Sequence, residues 1–172
     1  MLKRFICVSS LLFFVILAVG CNGARTAPKA NVTGGTGEMS VLSLRGDTSS
    51  MTQDQIVELQ RVGKWMDRDI IKQLSRAGYK SKLIKSRKAF KGPGNLLIIK
   101  VAKFKPGNKA ARVFVGFGAG GSSLDLNYQL LDSKGKILTK WDDGVGSSKG
   151  GTYCAQTLNR RALVKLGDVL NG

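Results

Sequence analysis

The fold is decided by residues 106–131, PGNKAARVFVGFGAGGSSLDLNYQLL, where a turn, a glycine-rich run and a strand follow one another. From residue 124 to 130 apolar and polar side chains alternate strictly. This period of two predicts a β-strand with one buried and one solvated face. Because phosphate-binding loops lead into a helix N-terminus, the glycines before this strand do not predict one. They predict an extended segment in the middle of the sheet, where Gly permits close approach of another backbone.

Two aromatic rings and two cations within this segment form the interaction surface that the sequence predicts: Lys109, Arg112, Phe114 and Phe117. Two interpretations stay open. In the first, both rings pack beneath a helix and belong to the core. In the second, they form an exposed apolar lip, flanked by the cations, that meets a membrane or a partner protein.

The surrounding chain predicts a small α+β domain. Thr52 and Gln55 form a capping-box pattern, apolar residues then recur at spacings of three and four, and Gly78 is placed to end the helix. Strands are expected at 39–44, 79–84, 96–104 and 136–141, with a glycine- and serine-rich loop at 142–152 and a second helix at 153–170. Residues 39–172 are therefore predicted to form a single mixed or antiparallel sheet of four to five strands with two helices packed on one face.

The N-terminus is typical of an exported protein. Lys3 and Arg4 precede an apolar run, and residues 18–21, AVGC, resemble the lipobox of bacterial lipoproteins. We expect a signal peptide over 1–20 and a flexible tether over 21–38, attached to the bilayer through acylated Cys21. The alternative is an ordinary signal or an uncleaved anchor with Cys21 incidental. The apolar run of about 15 residues is short for a spanning helix, which needs about 20.

The charge distribution favours anionic partners. The chain has 28 Lys and Arg against 11 Asp and Glu, a net charge of +17, and no acidic residue occurs between Ile70 and Leu124. Such a field attracts polyanions. Outside the cytoplasm nucleic acid is not expected, so the predicted partner is an anionic envelope component or an acidic protein. The alternative is that lysines only protect strand edges from aggregation.

No catalytic, cofactor or metal site is predicted, and we expect that the protein is not an enzyme. The chain contains no His, the commonest general base and metal ligand. Asp142 and Asp143 are adjacent, so on a strand they would point to opposite faces. Cys154 lies in a helical pattern and is expected to be a half-buried apolar residue.

The central block is similar to a family of bacterial lipoproteins known only as domain of unknown function 4410. The resemblance rests on the turn at 106–108, Arg112, VGFGAG at 115–120, and a strand–turn–strand that ends at Leu138. Gly121 departs from the charged or polar residue that members often carry. The resemblance implies a bacterial lipoprotein and a fold class but no reaction.

Together these features predict an outer-membrane-anchored periplasmic lipoprotein that acts as a non-catalytic binding or assembly module. The alternative function is an oligomeric secretion or pore-associated lipoprotein of the curli-secretion type. Asn22 follows Cys21 in place of the Asp that commonly retains lipoproteins at the inner membrane. The outer membrane is therefore favoured, and the inner membrane is the alternative location.

Overall fold

The computed structural model describes residues 37–107 and 120–171. These residues form five strands and two long helices. In chain order they are β1 (Gly37–Leu44), α1 (Gln53–Arg76), β2 (Tyr79–Ile84), β3 (Asn95–Lys105), β4 (Ser122–Leu131), β5 (Ile137–Ser147) and α2 (Gly151–Asn171). A short 3-10 helix, Arg87–Ala89, lies between β2 and β3. The predicted α+β class, with a mixed sheet of five strands and two helices, is confirmed.

The sheet has the strand order β2-β1-β3-β4-β5. β1 pairs in parallel with both β2 and β3, whereas β3–β4 and β4–β5 are antiparallel. The pairing of Lys105 with Ser123 brings the two ends of the glycine-rich segment together where β3 ends and β4 begins. There the Ser122 hydroxyl donates a hydrogen bond of 2.5 Å to the Pro106 carbonyl.

Helix α1 begins and ends as its sequence predicts. The Thr52 hydroxyl accepts from the Gln55 amide at 3.3 Å, and the Gln55 side chain accepts from the Thr52 amide at 2.9 Å. This capping box satisfies two amides that the first turn leaves without partners. At the other end Gly78 has φ +99°, a conformation that glycine adopts without steric cost, and β2 starts at the next residue.

The main core lies between the helices and one face of the sheet. From β4 it takes the apolar half of the alternating pattern, including Leu124, Leu126 and Leu130, all at most 1% exposed. Helix α1 contributes its predicted stripe, and α2 contributes Cys154 and Leu158 among others. Both helices therefore cover the same face, as predicted.

Strand β5 is longer than the sequence predicts. Residues 142–147 belong to the predicted loop, but in the structure they continue the ladder, with Gly144 opposite Asp125 and Gly146 opposite Ser123. The sequence does not predict this part of the strand because Gly144 and Gly146, residues typical of loops, occupy alternate positions in it. The intervening positions hold Trp141, Asp143 and Val145, which face the helices in the register of β4.

The connection from β2 to β3 covers part of the opposite sheet face. Because β2 and β3 are both parallel to β1, residues 85–94 must return along the sheet to start β3. Phe90 from this connection packs on a second, smaller apolar cluster. The buried members of that cluster are Leu42, Ile84, Leu96 and Leu131. Within residues 37–107 and 120–171, this crossover with its short 3-10 helix covers only part of the face.

Candidate binding face

We call the sheet side away from α1 and α2 the open face. Its side chains lie in rows across the strands, because directly paired residues point the same way. One row runs from β2 to β5 as Ile84, Leu42, Ile98, Gln129 and Lys140. The next row runs from β1 to β5 as Leu44, Lys100, Asn127 and Asp142.

Apart from Ile84, the residues of these two rows form the floor of a groove of about 730 Å³. The start of the β2–β3 connection, with Lys85, Ser86 and Arg87, forms the wall on the β2 side. Lys140 and Asp142 border the groove on the β5 side. Its volume falls within the range of about 300–1,000 Å³ that is usual for ligand sites.

Four cations line the groove: Lys85, Arg87, Lys100 and Lys140. None of them forms a salt bridge within residues 37–107 and 120–171, where the salt bridges involve Arg45, Arg61, Lys82 and Arg161. A hydrogen bond from the Ser49 amide lowers the pKa of the Asp47 carboxyl, and the charge of Lys100, acting at longer range, helps to lower it. All four are exposed. The groove is therefore a concave site with an excess of positive charge, and its one carboxylate, Asp142, accepts a hydrogen bond of 2.6 Å from Asn127.

The floor between these cations is largely aliphatic. Leu44 is 40% exposed, although large apolar side chains on strands are usually covered, and Ile98 is half-buried. Leu42 is buried beside Ile98 beneath the connection. A ligand that lies in the groove would thus contact apolar side chains and cations together.

The carboxylates of β5 do not form a catalytic pair or a metal site. Asp142 is on the open face, whereas Asp143 points to the helix side and accepts a hydrogen bond of 2.9 Å from Arg161. They lie on opposite faces, as the sequence predicts. Within the described residues no group of three or more Asp, Glu, Cys or His side chains is placed to hold a metal ion.

Two further ionisable groups are buried under the helices. Cys154 is completely buried rather than half-buried, and burial raises the pKa of its thiol. Its sulfur lies 3.6 Å from the Ser122 carbonyl, so it acts as a core residue. Tyr128 is 1% exposed, and burial, followed by the nearby Asp143 charge, raises the pKa of its phenol.

The site residues that the sequence predicts lie elsewhere. Cys21, Lys109, Arg112, Phe114 and Phe117 are all outside the described residues. Sequence reasoning does not find the groove, because its cations come from β3, β5 and the β2–β3 connection, which only the strand order brings together. The one sequence signal is the run between residues 70 and 124 without an acidic side chain, which contains three of the four groove cations.

Residues 36–150 match the family described as Domain of unknown function (DUF4410). The chain belongs to this family. The match covers all five strands, α1 and the groove, and it ends where α2 begins. The DUF4410 assignment confirms the resemblance drawn from the central block. No curated protein matches the chain.

Several solved structures are distantly similar to this DUF4410 chain. A dodecamer of a PelC point variant from Paraburkholderia phytofirmans is 14% identical, with 75% of this chain and 87% of that chain covered and a TM-score of 0.48. A putative neuraminyllactose-binding hemagglutinin homolog from Helicobacter pylori is 9% identical, with coverage of 83% and 90% and a TM-score of 0.41. Uncharacterized lipoprotein B from Nitrosomonas europaea is 8% identical, with coverage of 80% and 86% and a TM-score of 0.34. We transfer neither a ligand nor an assembly state from likenesses this remote.

Neither long helix meets the requirements of a membrane span, which needs about 20 predominantly apolar residues. Within residues 37–107 and 120–171, α1 and α2 are long enough in residues but too polar to cross a bilayer.

Proposed function

We propose that this chain is a non-catalytic, lipid-anchored binding module of the bacterial envelope, and that its open face binds an anionic envelope component. The observation that carries the proposal is the groove, in which four exposed cations line one concavity without salt bridges among the described residues. The anchor is Cys21, and the expected location is the periplasmic face of the outer membrane. Membership of DUF4410 is consistent with this role but does not define a ligand.

Charge placement supports the open face over the helix side as the binding surface. Lys103 and Lys105 of β3 continue the cations beyond the groove toward the end of the strand, with one carboxylate, Asp125, paired opposite Lys103. The helix side, in contrast, contains acidic residues of α1, such as Asp54 and Glu58, among its basic ones. A concave surface with an excess of one sign concentrates counter-charged ligands more strongly than a balanced surface does.

Polyanion binding tests this function. The full chain, held in neutral nanodiscs, should bind fluorescent polyphosphate, and about 0.5 M salt should abolish the binding because it shortens the screening length to a few ångströms. Lys100→Glu with Lys140→Glu should weaken binding at least ~10-fold, since both charges lie in the groove.

The matched control makes the same change in net charge on the other side of the domain. Lys64 and Lys72 are exposed on α1, so Lys64→Glu with Lys72→Glu should weaken binding by no more than about twofold. Equal losses in the two double variants would mean that overall charge alone drives binding, and the open-face proposal would be wrong.

The anchor is tested by the intact mass of the membrane-extracted protein. We expect cleavage before Cys21 and the added mass of acyl chains, because residues 18–21 resemble a lipobox. A single acyl chain binds a membrane only marginally, so stable attachment needs more than one. A mature product without acyl mass, or one that starts elsewhere, would contradict the anchored location.

A further inference from the structure

We propose that the groove binds an anionic phospholipid, with its phosphate at Lys100 and Lys140 and an aliphatic segment on Leu44 and Ile98. This inference rests on the proposed function and gives its anionic ligand a chemical class. It requires both halves of the groove, the cations and the apolar floor, to contact one molecule.

The apolar floor distinguishes a lipid from a simple polyanion. A linear polyanion would be attracted by the cations, but it has no apolar group to cover the exposed part of Leu44. An alkyl chain covers that surface, and each buried CH₂ strengthens binding roughly fourfold. Leu44, Ile98 and buried Leu42 form a continuous aliphatic strip on β1 and β3, which is where such a chain would lie.

The four groove cations lie on both sides of this aliphatic strip. Lys100 follows Ile98 on the same face of β3, and Lys140 lies two strands away on β5, which is roughly 10 Å across the sheet. Lys85 and Arg87 border the strip on the β2 side. A phosphate between Lys100 and Lys140 would also lie beside Gln129, whose amide is a suitable hydrogen-bond donor to phosphate oxygens. The neighbouring Asn127 amide already donates to Asp142, which leaves its second N–H for the phosphate and spreads the charge of that carboxylate away from it.

The position of the anchor permits this contact. The groove lies at the end of β1 opposite Gly37, so about 25 Å of strand separates it from the point where the tether joins the domain. The 15 residues from 22 to 36 can reach about 50 Å when extended. The open face can therefore turn toward lipids of the membrane that holds the anchor.

Photo-crosslinking tests the proposal on the complete lipidated chain. The chain is reconstituted in neutral nanodiscs that contain a small fraction of phosphatidylglycerol with a diazirine in its acyl chain. We expect labelled peptides that contain Leu44 or Ile98. Their labelling should be at least ~5-fold above that from a diazirine phosphatidylcholine, whose head group carries no net charge and is not concentrated by the cations.

Variants separate the groove from general membrane contact. Lys100→Gln with Lys140→Gln should reduce the labelling of these peptides at least ~5-fold, whereas Lys64→Gln with Lys72→Gln should leave it unchanged. Ile98→Asn should reduce labelling while polyphosphate binding persists. Circular dichroism and urea titration of each variant establish that the domain remains folded.

The outcomes distinguish this inference from the broader function. If polyphosphate binds at the open face but both lipids label these peptides equally, the groove binds an anion that is not a lipid, such as an acidic polysaccharide or peptide, and the inference is wrong. If polyphosphate also fails to bind, the proposed function is wrong as well. Labelling confined to peptides of α1 or α2 would equally overturn the lipid site.

Discussion

Replacing Arg45 by Ala should lower the free energy of unfolding by about 3 kcal/mol, because it breaks an ion pair that is largely withdrawn from water. Arg45 Nη2 lies 2.5 Å from Asp67 Oδ2, and Nη1 lies 3.3 Å from Asp67 Oδ1. The two side chains are 17% and 13% exposed. Removing one partner leaves the other charge desolvated without compensation.

The pair also joins two elements that are distant in the sequence. Arg45 follows β1, whereas Asp67 lies in the middle of α1, and Nη1 makes an additional hydrogen bond of 2.7 Å to the Ser43 hydroxyl. Arg45 lies in the loop between β1 and α1, where its guanidinium is paired with Asp67.

Gly63 in α1 leaves the space that this arginine occupies. The Arg45 guanidinium lies directly against Gly63, so a Cβ built there would overlap Arg45 Nε and Cζ. Gly63→Ala should therefore destabilise the wild-type protein. In the Arg45→Ala, Asp67→Ala background the same change should stabilise the protein by about 1 kcal/mol, since Ala is the better helix former.

Urea unfolding followed by tryptophan fluorescence measures each variant. Arg61→Ala is the matched control, because the Arg61–Glu58 pair also involves α1 but Arg61 is 59% exposed, and its removal should cost less than about 1 kcal/mol. If Arg45→Ala costs no more than Arg61→Ala, or if the stability change caused by Gly63→Ala has the same sign in both backgrounds, the Arg45–Asp67 pair does not hold the end of β1 to α1 as described.

The local elements are readable from the sequence because local signals and tertiary packing agree in them. Thr52, Gln55 and Gly78 mark the ends of α1 through contacts within a few residues. The alternation of residues 124–130 marks β4 because one of its faces meets the helices. Both predictions depend only on the spacing of residues within a single element, and that spacing does not depend on contacts with the rest of the chain.

What the sequence does not reveal depends on contacts between distant segments. Gly144 and Gly146 are typical of loops, yet they lie within β5, where a Cβ at Gly144 would overlap the Asp125 carboxylate on the neighbouring strand. The strand order places β1 between β2 and β3, and no local pattern encodes that placement. The basic groove follows from this order, so it could not be predicted, although the excess of cations could.

Replacing Tyr128 by Phe should make the protein more resistant to alkali than the wild type. Tyr128 stacks on Trp141 with ring centroids 4.7 Å apart and an interplanar angle of 4°, and Phe can preserve this packing. The Tyr128 hydroxyl has no hydrogen-bond partner within the described residues. At neutral pH the substitution should therefore change the free energy of unfolding by less than about 1 kcal/mol.

The variant and the wild type differ in their free energy of unfolding when the pH rises above 10. Burial raises the pKa of Tyr128 in the folded state above the ordinary value of 10.0. Below pH 10 the phenol is protonated in both states and contributes nothing to the pH dependence. Above it the unfolded chain releases the proton and the folded chain retains it, so the native state binds more protons and stability falls by about 1.4 kcal/mol per pH unit.

Urea titrations at pH 8, 10 and 11 of the wild type and Tyr128→Phe isolate this contribution, because lysine titration is common to both chains and cancels in the difference. The advantage of the variant should be near its neutral value at pH 8 and grow by about 1 kcal/mol from pH 10 to pH 11. Tyr79→Phe should add a further gain, since burial raises the pKa of Tyr79 as well. A constant difference between wild type and Tyr128→Phe across this range would show that the phenol ionises equally in both states and would contradict this prediction.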